Sequence, residues 1–343
     1  MKNIRIGQKE IIHFIGIGGI GMSGLAQVMK TMGFKIQGSD QNKNKSTINC
    51  SKAGIKIFIK HNRKNVKNAT IIVRSSAITE NNLEIREAKK RKIPIYSRAE
   101  VLANVVSLKK NIIITGSHGK TTTTSLVAKI LSDRRLDPTI INGGVINSFK
   151  SNAKLGKGEW AILEADESDG SFLKLPINYS IVTNLDFEHI DYYNNFKNLE
   201  NAFIQFINKT PPIGKSLICL DNKNLQNILK KIKNKNILTY GFHKDANYKV
   251  SNARYFIDNT IFDLNYTNFI SKQKVKIKNI NVKLIGKHNV LNASAAISVC
   301  LNLGIKINII KNALKNFSGV QRRMTKLFKK NNNEFFDDYA HHP

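Results

Sequence analysis

The chain has 343 residues, 41% of them apolar, 23% charged and 8% aromatic, the composition of a folded protein with room for roughly two to three domains. Lysine and arginine number 55 against 24 acidic residues, a net charge of +31. No apolar run approaches the roughly 18 to 20 residues that a membrane-spanning helix needs, and the lysines gather into no block or aromatic-interleaved stripe of the kind nucleic-acid binders carry.

The basic start, with Lys2 and Arg5, imitates an export signal only briefly, because Lys9, Glu10 and His13 interrupt the apolar run; a cytoplasmic protein is expected. Residues 11–15 predict a strand. Met22, Leu25, Ala26 and Met29 then fall at the spacing of one helix face, and Gly33 is placed to end that helix. Between strand and helix stands Gly16-Ile17-Gly18-Gly19-Ile20-Gly21, with Asp40 nineteen residues on from Gly21. Glycine removes the side chains that would keep a diphosphate from the backbone N–H groups at such a helix start. The fingerprint points to a diphosphate-bearing ligand without naming it. Further strands are predicted over 34–36, 55–59 and 69–73, which completes one mononucleotide-binding unit.

The pattern restarts near 107–111. A strand over 112–114 leads into Thr115-Gly116-Ser117-His118-Gly119-Lys120-Thr121-Thr122, and Leu126, Val127, Ile130 and Leu131 mark one face of the helix after it. This is a short P-loop of the G-x-x-G-K-T form, with Ile114 where the longer form has its first glycine. Amides cradle phosphates, Lys120 neutralises charge, and the Thr121 hydroxyl reaches Mg²⁺. A P-loop also needs a carboxylate from a neighbouring strand end, and the strand 160–163 runs into Glu164-Ala165-Asp166-Glu167-Ser168-Asp169. Strand alternation puts Glu164 and Asp166 on one face but does not choose between them. Strands over 180–183 and 216–220 follow, separated by a helix at 199–207, and the first of these leads to Asn184-Leu185-Asp186-Phe187-Glu188-His189. Residues 236–285 read as short antiparallel strands, and helices are expected near 290–303 and 307–317. The first of these helices opens with Gly286-Lys287-His288-Asn289, and His288 and Asn292 share one of its faces. The three cysteines, Cys50, Cys219 and Cys300, lie too far apart for a zinc motif or a disulfide framework and are expected as buried thiols.

Strands alternating with helices place the chain in the α/β class, with a Rossmann-like first domain over 1–107 and a P-loop ATPase domain over 108–321 that holds a parallel sheet and a small antiparallel part. The ordered set G-S-H-G-K-T-T, E-A-D-E-S-D, N-x-D-x-E-H, G-x-H-N-x-x-N and Asp337-Asp338-Tyr339-Ala340-His341-His342-Pro343 resembles the Mur ligase family of ATP-dependent amide-forming enzymes. The first glycine loop, Gly38-Ser39-Asp40 and Ser75-Ser76-Ala77-Ile78 are similar to the member that joins L-alanine to UDP-N-acetylmuramate.

The resemblance implies ATP and Mg²⁺ as cofactors, with Lys120 and Thr121 holding the phosphates and the ion. It makes Glu164 the metal carboxylate and His189 a second metal ligand. It puts His288 and Asn292 on the nucleotide, Arg322 or Arg323 on its phosphates, and Asp338 near ATP. The amides of Gly18, Gly19, Ile20 and Gly21 would take the UDP diphosphate, with Asp40, Ser75 and Ser76 near the uridine. It further implies a third domain from residue 322, of which this sequence holds only the start, so that the 343 residues are expected to bind nucleotides but ligate poorly alone. A monomer or weak dimer is expected, with neither nucleic acid nor membrane as partner. An NAD-dependent dehydrogenase would explain residues 16–40 and leave Lys120 without a task. A nucleic-acid-binding NTPase would explain the charge and the P-loop only. Within the family, the peptide-recycling ligase is the closer competitor.

Overall fold

The computed structural model of the chain describes residues 6–7, 9–268, 271–321, 325–331 and 333–337. Its first part is built on a five-stranded parallel sheet with strand order β3-β2-β1-β4-β5. In chain order its elements are β1 (Ile11–Ile15), α1 (Ile20–Thr31), β2 (Lys35–Asp40), α2 (Lys45–Lys52), β3 (Lys56–Ile59), β4 (Ile71–Arg74), α3 (Leu83–Lys90), β5 (Ile95–Ser97) and α4 (Arg98–Val105). Met22, Leu25, Ala26 and Met29 are all buried, as the helical spacing requires. The second strand is longer than the expected 34–36 and runs to Asp40, because Gly38 lets the chain pass close to Ile17 and the Phe14 carbonyl while keeping register with β1. Asp40 is thereby carried to the carboxyl end of the sheet.

The second sheet has ten strands in the order β15-β14-β13-β12-β11-β10-β6-β9-β7-β8. Its elements are β6 (Lys110–Thr115), α5 (Lys120–Asp133), β7 (Thr139–Ile146), β8 (Ser151–Lys154), β9 (Trp160–Glu164), β10 (Tyr179–Val182), α6 (Ile190–Tyr193), α7 (Phe196–Asn208), β11 (Lys215–Cys219), α8 (Lys223–Leu229), β12 (Ile237–Gly241), β13 (Tyr248–Tyr255), β14 (Thr260–Thr267), β15 (Lys274–Val282), α9 (Lys287–Asn302) and α10 (Ile307–Lys315). A separate antiparallel pair, β16 (Thr325–Lys330) and β17 (Asn333–Asp337), follows.

Within the ten-stranded sheet, among the described residues, antiparallel strand pairing is confined to β13–β14–β15 and to the β7–β8 hairpin. The expectation of antiparallel strands throughout 236–285 therefore fails at β12, which lies parallel to β11. The physical reason is α8, a helical crossover between the two strands, which returns the chain in the same direction. The β7–β8 hairpin, unread in the sequence, reaches back to α1. There the Asn152 side-chain amide donates to the Ile20 carbonyl at 2.8 Å, and one continuous apolar core runs through both sheets. Other polar links cross this seam: Lys45 Nζ donates to Gln321 Oε1 at 3.1 Å, and Lys174 stands 3.4 Å from Glu100 and 3.5 Å from the Ser97 hydroxyl. All three cysteines are buried free thiols, with Cys50 and Cys219 each pushed up to about 11 by burial. No helix among the described residues is long and apolar enough to cross a membrane.

Candidate functional site

In the first sheet β1 lies between β2 and β4, so the chain reverses its direction of winding there and leaves a crevice beyond the strand ends. The Gly16 loop follows β1 and the Ser75-Ser76 loop follows β4 at that crevice. Within the glycine loop the amides are not equivalent. Gly18 N–H donates to Asp40 Oδ2 at 2.7 Å, and Gly19 N–H donates to the Gly16 carbonyl at 3.2 Å. Ile20 and Gly21 instead open α1, where no preceding turn supplies an acceptor for their N–H groups. The Gly18 and Gly19 amides, expected alongside Ile20 and Gly21 at a diphosphate, are thus bonded within the loop in this structure, and Asp40 braces the loop.

In the second sheet β6 lies between β10 and β9, with Ile114 opposite Glu164 and Thr115 opposite Val182. That register brings the acidic strand end and the 183–189 segment to the two sides of the P-loop. Gly119 caps α5 with φ +81°, and a Cβ there would run into the Asn292 side chain. Lys120 folds back over the loop, its Nζ donating to the Gly116 carbonyl at 2.6 Å and pairing with Glu167 Oε1 at 2.9 Å. Burial would lower the Lys120 pKa, but Glu167, with help from Glu164 and Asp166, outweighs it and holds the pKa above its ordinary value. Thr121 Oγ1 donates to Glu164 Oε1 at 3.1 Å, and Gly143 N–H donates to Glu164 Oε2 at 2.6 Å.

His189 stands in a left-handed conformation, φ +58°, which costs a non-glycine residue on the order of 1 kcal/mol or more and concentrates at functional positions. Its Nε2 is 3.4 Å from Glu167 Oε1 and 3.7 Å from Glu188. The bond to Glu167 raises the His189 pKa above its ordinary value against the opposing effect of burial. On the other side of the loop the Ser117 hydroxyl accepts from Asp186 N–H at 2.9 Å, the His118 N–H donates to Asn184 Oδ1 at 2.7 Å, and the His118 ring is 3.3 Å from Asp186.

The acidic residues at the end of β9 and in the turn beyond it thus divide their work. Glu164 faces Thr121, while Glu167, only 1% exposed, faces Lys120 and His189. Sequence reasoning missed Glu167 because strand alternation ends with β9 at Glu164, and the turn that follows rotates Glu167 inward. Asp166 is held below the usual carboxylate range: burial opposes this, and bonds from Ser168 together with the charges of Lys120 and Arg98 outweigh it. Glu167, Glu188 and His189 offer ligand atoms that all lie within 4.8 Å of one another. For Mg²⁺ the Thr121 hydroxyl and Glu164 carboxylate are fitting hard oxygen donors, and the His189 imidazole a less usual one.

Gly19, Ile20, Gly21, Ser75 and Ser76 from the first sheet, and Ser117, His118, Gly119, Lys120, Thr121, Glu164 and His189 from the second, line one cavity of about 480 Å³. Arg98, which the sequence reading passed over, lines it too. Gly18 and Asp40 brace the glycine loop without being among its walls, and Gly116 and Thr122 lie buried in the P-loop and the first turn of α5. His288 and Asn292 are not among the walls either. Asn292 is buried behind Gly119, where its Oδ1 accepts from Thr123 at 3.2 Å, and His288 is exposed in the first turn of α9. Arg322, Arg323 and Asp338 lie outside the described residues.

The pattern of the Mur ligase family catalytic domain matches residues 11–110, and that of the Mur ligase middle domain matches residues 114–300. The chain is 55% identical over 340 residues to the UDP-N-acetylmuramate–L-alanine ligase of Pelagibacter ubique (strain HTCC1062), covering 99% of this chain and 73% of that protein. It is 43% identical over 333 residues to the enzyme of the same name from Rhizobium etli, covering 97% and 71%. Among solved structures, the UDP-N-acetylmuramate-alanine ligase of Thermotoga maritima superimposes with a TM-score of 0.86 at 29% identity, over 97% of this chain and 75% of that one. A murein peptide ligase from Psychrobacter arcticus has the same fold, with a TM-score of 0.83 at 23% identity over 97% of this chain and 74% of that one.

Proposed function

Given that the chain belongs to the Mur ligase family of ATP-dependent amide-forming enzymes, we propose that its two phosphate-binding loops serve one reaction in the cavity they share. The chain joins L-alanine to the lactyl carboxylate of UDP-N-acetylmuramate, a step of peptidoglycan precursor synthesis. We assign residues 1–107 to the sugar nucleotide and 108–321 to ATP.

The chemistry follows from an energetic difficulty. A carboxylate does not condense with an amine in water, because an oxide ion is a poor leaving group. Transfer of the γ-phosphoryl group of ATP to the lactyl carboxylate releases ADP and forms an acyl phosphate. The L-alanine amine then attacks the acyl carbon, and phosphate leaves with the C–O bond electrons as the amide forms.

Lys120 and the amides around Ser117, His118 and Gly119 would hold the β- and γ-phosphates of ATP. Thr121 and Glu164 would hold Mg²⁺, with His189 as a further ligand; the ion, when bound, spreads the charge that grows on the transferring group. Glu167 would keep Lys120 charged and aimed, and would raise the basicity of His189. The amides of Ile20 and Gly21 would face the diphosphate of the sugar nucleotide, with Ser75 and Ser76 beside it. His288, Asn292, Arg323 and Asp338 are proposed for the nucleotide on the strength of the family's motifs.

The observation that carries this reading is the common cavity: Lys120, Thr121, Glu164 and His189 share their walls with Gly19, Gly21 and Ser75. Calorimetric binding of a non-hydrolysable ATP analogue and of UDP-N-acetylmuramate tests the assignment of the cavity, and phosphate release with candidate amino acids supplied one at a time tests the reaction. Saturable binding of both nucleotides and release that depends on L-alanine are expected. Release that depends on nucleic acid, or on a peptide in place of L-alanine, would overturn it.

A further inference from the structure

We propose that Arg98 is the residue that binds the diphosphate of the sugar nucleotide, supplying the positive charge that the glycine loop lacks. The inference rests on the reading of the first unit as the sugar-nucleotide site.

The loop is poorly equipped for an anion by itself. Residues 16–24 hold no lysine or arginine. The Asp40 carboxylate already takes the Gly18 amide at 2.7 Å, and the Gly19 amide is closed in a turn. A diphosphate approaching Ile20 and Gly21 would therefore meet two amides and a nearby carboxylate. A cation is needed, and Arg98 lies where it can act. It lines the same cavity as Gly21, Ser75 and Ser76. Its guanidinium packs over the bare Cα of Gly21, where a Cβ would stand 2.9 Å from Nη1 and 3.3 Å from Cζ. The last glycine of the loop is thus the place where the arginine enters the first turn of α1.

Two features mark Arg98 as placed for a ligand rather than for its own helix. It occupies the first position of α4, whose start is fixed by a reciprocal capping pair between Ser97 and Glu100. A positive charge in a first helical turn opposes the helix dipole, so the position weakens the helix and calls for a gain elsewhere. Among the described residues, moreover, no hydrogen bond or salt bridge to Arg98 is found, and its charge acts on Asp166 within the same cavity. Its five N–H donors form a planar fork suited to two phosphate oxygens at once.

The test is calorimetric binding of UDP, UMP and uridine to the wild-type chain and to Arg98→Ala, Arg98→Lys and Gly21→Ala. Arg98→Ala should lower the affinity for UDP by about tenfold or more and leave uridine within about twofold, collapsing the preference for the phosphorylated ligand. Arg98→Lys should recover part of that preference, and Gly21→Ala, which displaces the guanidinium, should repeat the loss. UDP affinity in Arg98→Ala within about twofold of wild type overturns the proposal, as does an equal weakening of UDP and uridine, the mark of a structural role. A wild-type chain that binds no UDP overturns instead the sugar-nucleotide reading on which the proposal stands.

Discussion

The Lys120–Glu167 pair, 2.9 Å apart with Glu167 only 1% exposed, is one that cannot be broken cheaply on one side. Removing the carboxylate leaves a largely enclosed ammonium uncompensated, a change that typically destabilises by about 3 kcal/mol or more. Glu167→Gln should therefore lower the urea midpoint, and it should also return the His189 pKa toward its ordinary value of 6.5, followed by NMR titration of the imidazole. An unchanged His189 titration would refute the coupling. The sign for stability follows: because the folded His189 pKa is raised, its contribution is full below the unfolded value and is lost as pH rises through the folded one. Glu84 works in the opposite sense. This buried carboxylate accepts from His13 at 3.2 Å, Asn62 N–H at 3.1 Å and Asn65 at 2.6 Å, and Ser39 also donates to it. Burial opposes ionisation, yet these donors lower its pKa from 4.5 to about 2. Its contribution is present above 4.5 and fades as pH falls from there toward about 2. The acid limb of a stability curve should lose part of its slope in Glu84→Gln, and an identical slope would show that the donors do not act on it.

Among the elements, the P-loop depends on Gly119. An alanine there would have to adopt φ +81° and also displace Asn292, a strain of about 1 to 2 kcal/mol from the backbone alone. Gly119→Ala should lose most binding of the ATP analogue and lower the denaturation midpoint; binding within about twofold of wild type would remove the loop from the site. At the far end of the ten-stranded sheet, β15 is an edge with exposed Lys274, Lys276 and Lys278 alternating with inward Val275 and Ile277. Such lysines repel a second edge, and the Lys311 ammonium also takes the Lys278 carbonyl at 3.0 Å. Replacing the three lysines by threonine should raise light scattering at high protein concentration without changing nucleotide affinity. These elements also mark what could be read from sequence. The two glycine loops and their helices were legible because strong local patterns, apolar periodicity and glycine, place them. The parallel pairing of β12 and the reach of the β7–β8 hairpin were not, since strand neighbours are chosen by tertiary packing. The same limit explains the site: the P-loop pattern singled out Lys120 and Thr121, and the resemblance to the Mur ligase family added Glu164 and His189, but only the turn after β9 aims Glu167, and only the fold lays Arg98 on Gly21.

For the whole molecule the dominant quantity is the net charge of +31. Both nucleotides are polyanions, so the field should speed their arrival and that advantage should fade with salt. Stopped-flow association of the ATP analogue is expected to slow by about tenfold between low and high ionic strength; a flat dependence would leave the charge without a role in capture. The hairpin β7–β8 has a consequence at this scale as well. One part of it holds α1 through Asn152 and Ile20, while Gly143 in the same hairpin holds Glu164 beside Thr121. A single small lever therefore rests against the starting turn of each nucleotide-binding helix. If tilting it to suit one guest changes the seat of the other, the grip on ATP and the grip on the sugar nucleotide alter each other by the same factor in both directions, which titrating each nucleotide with and without the other measures.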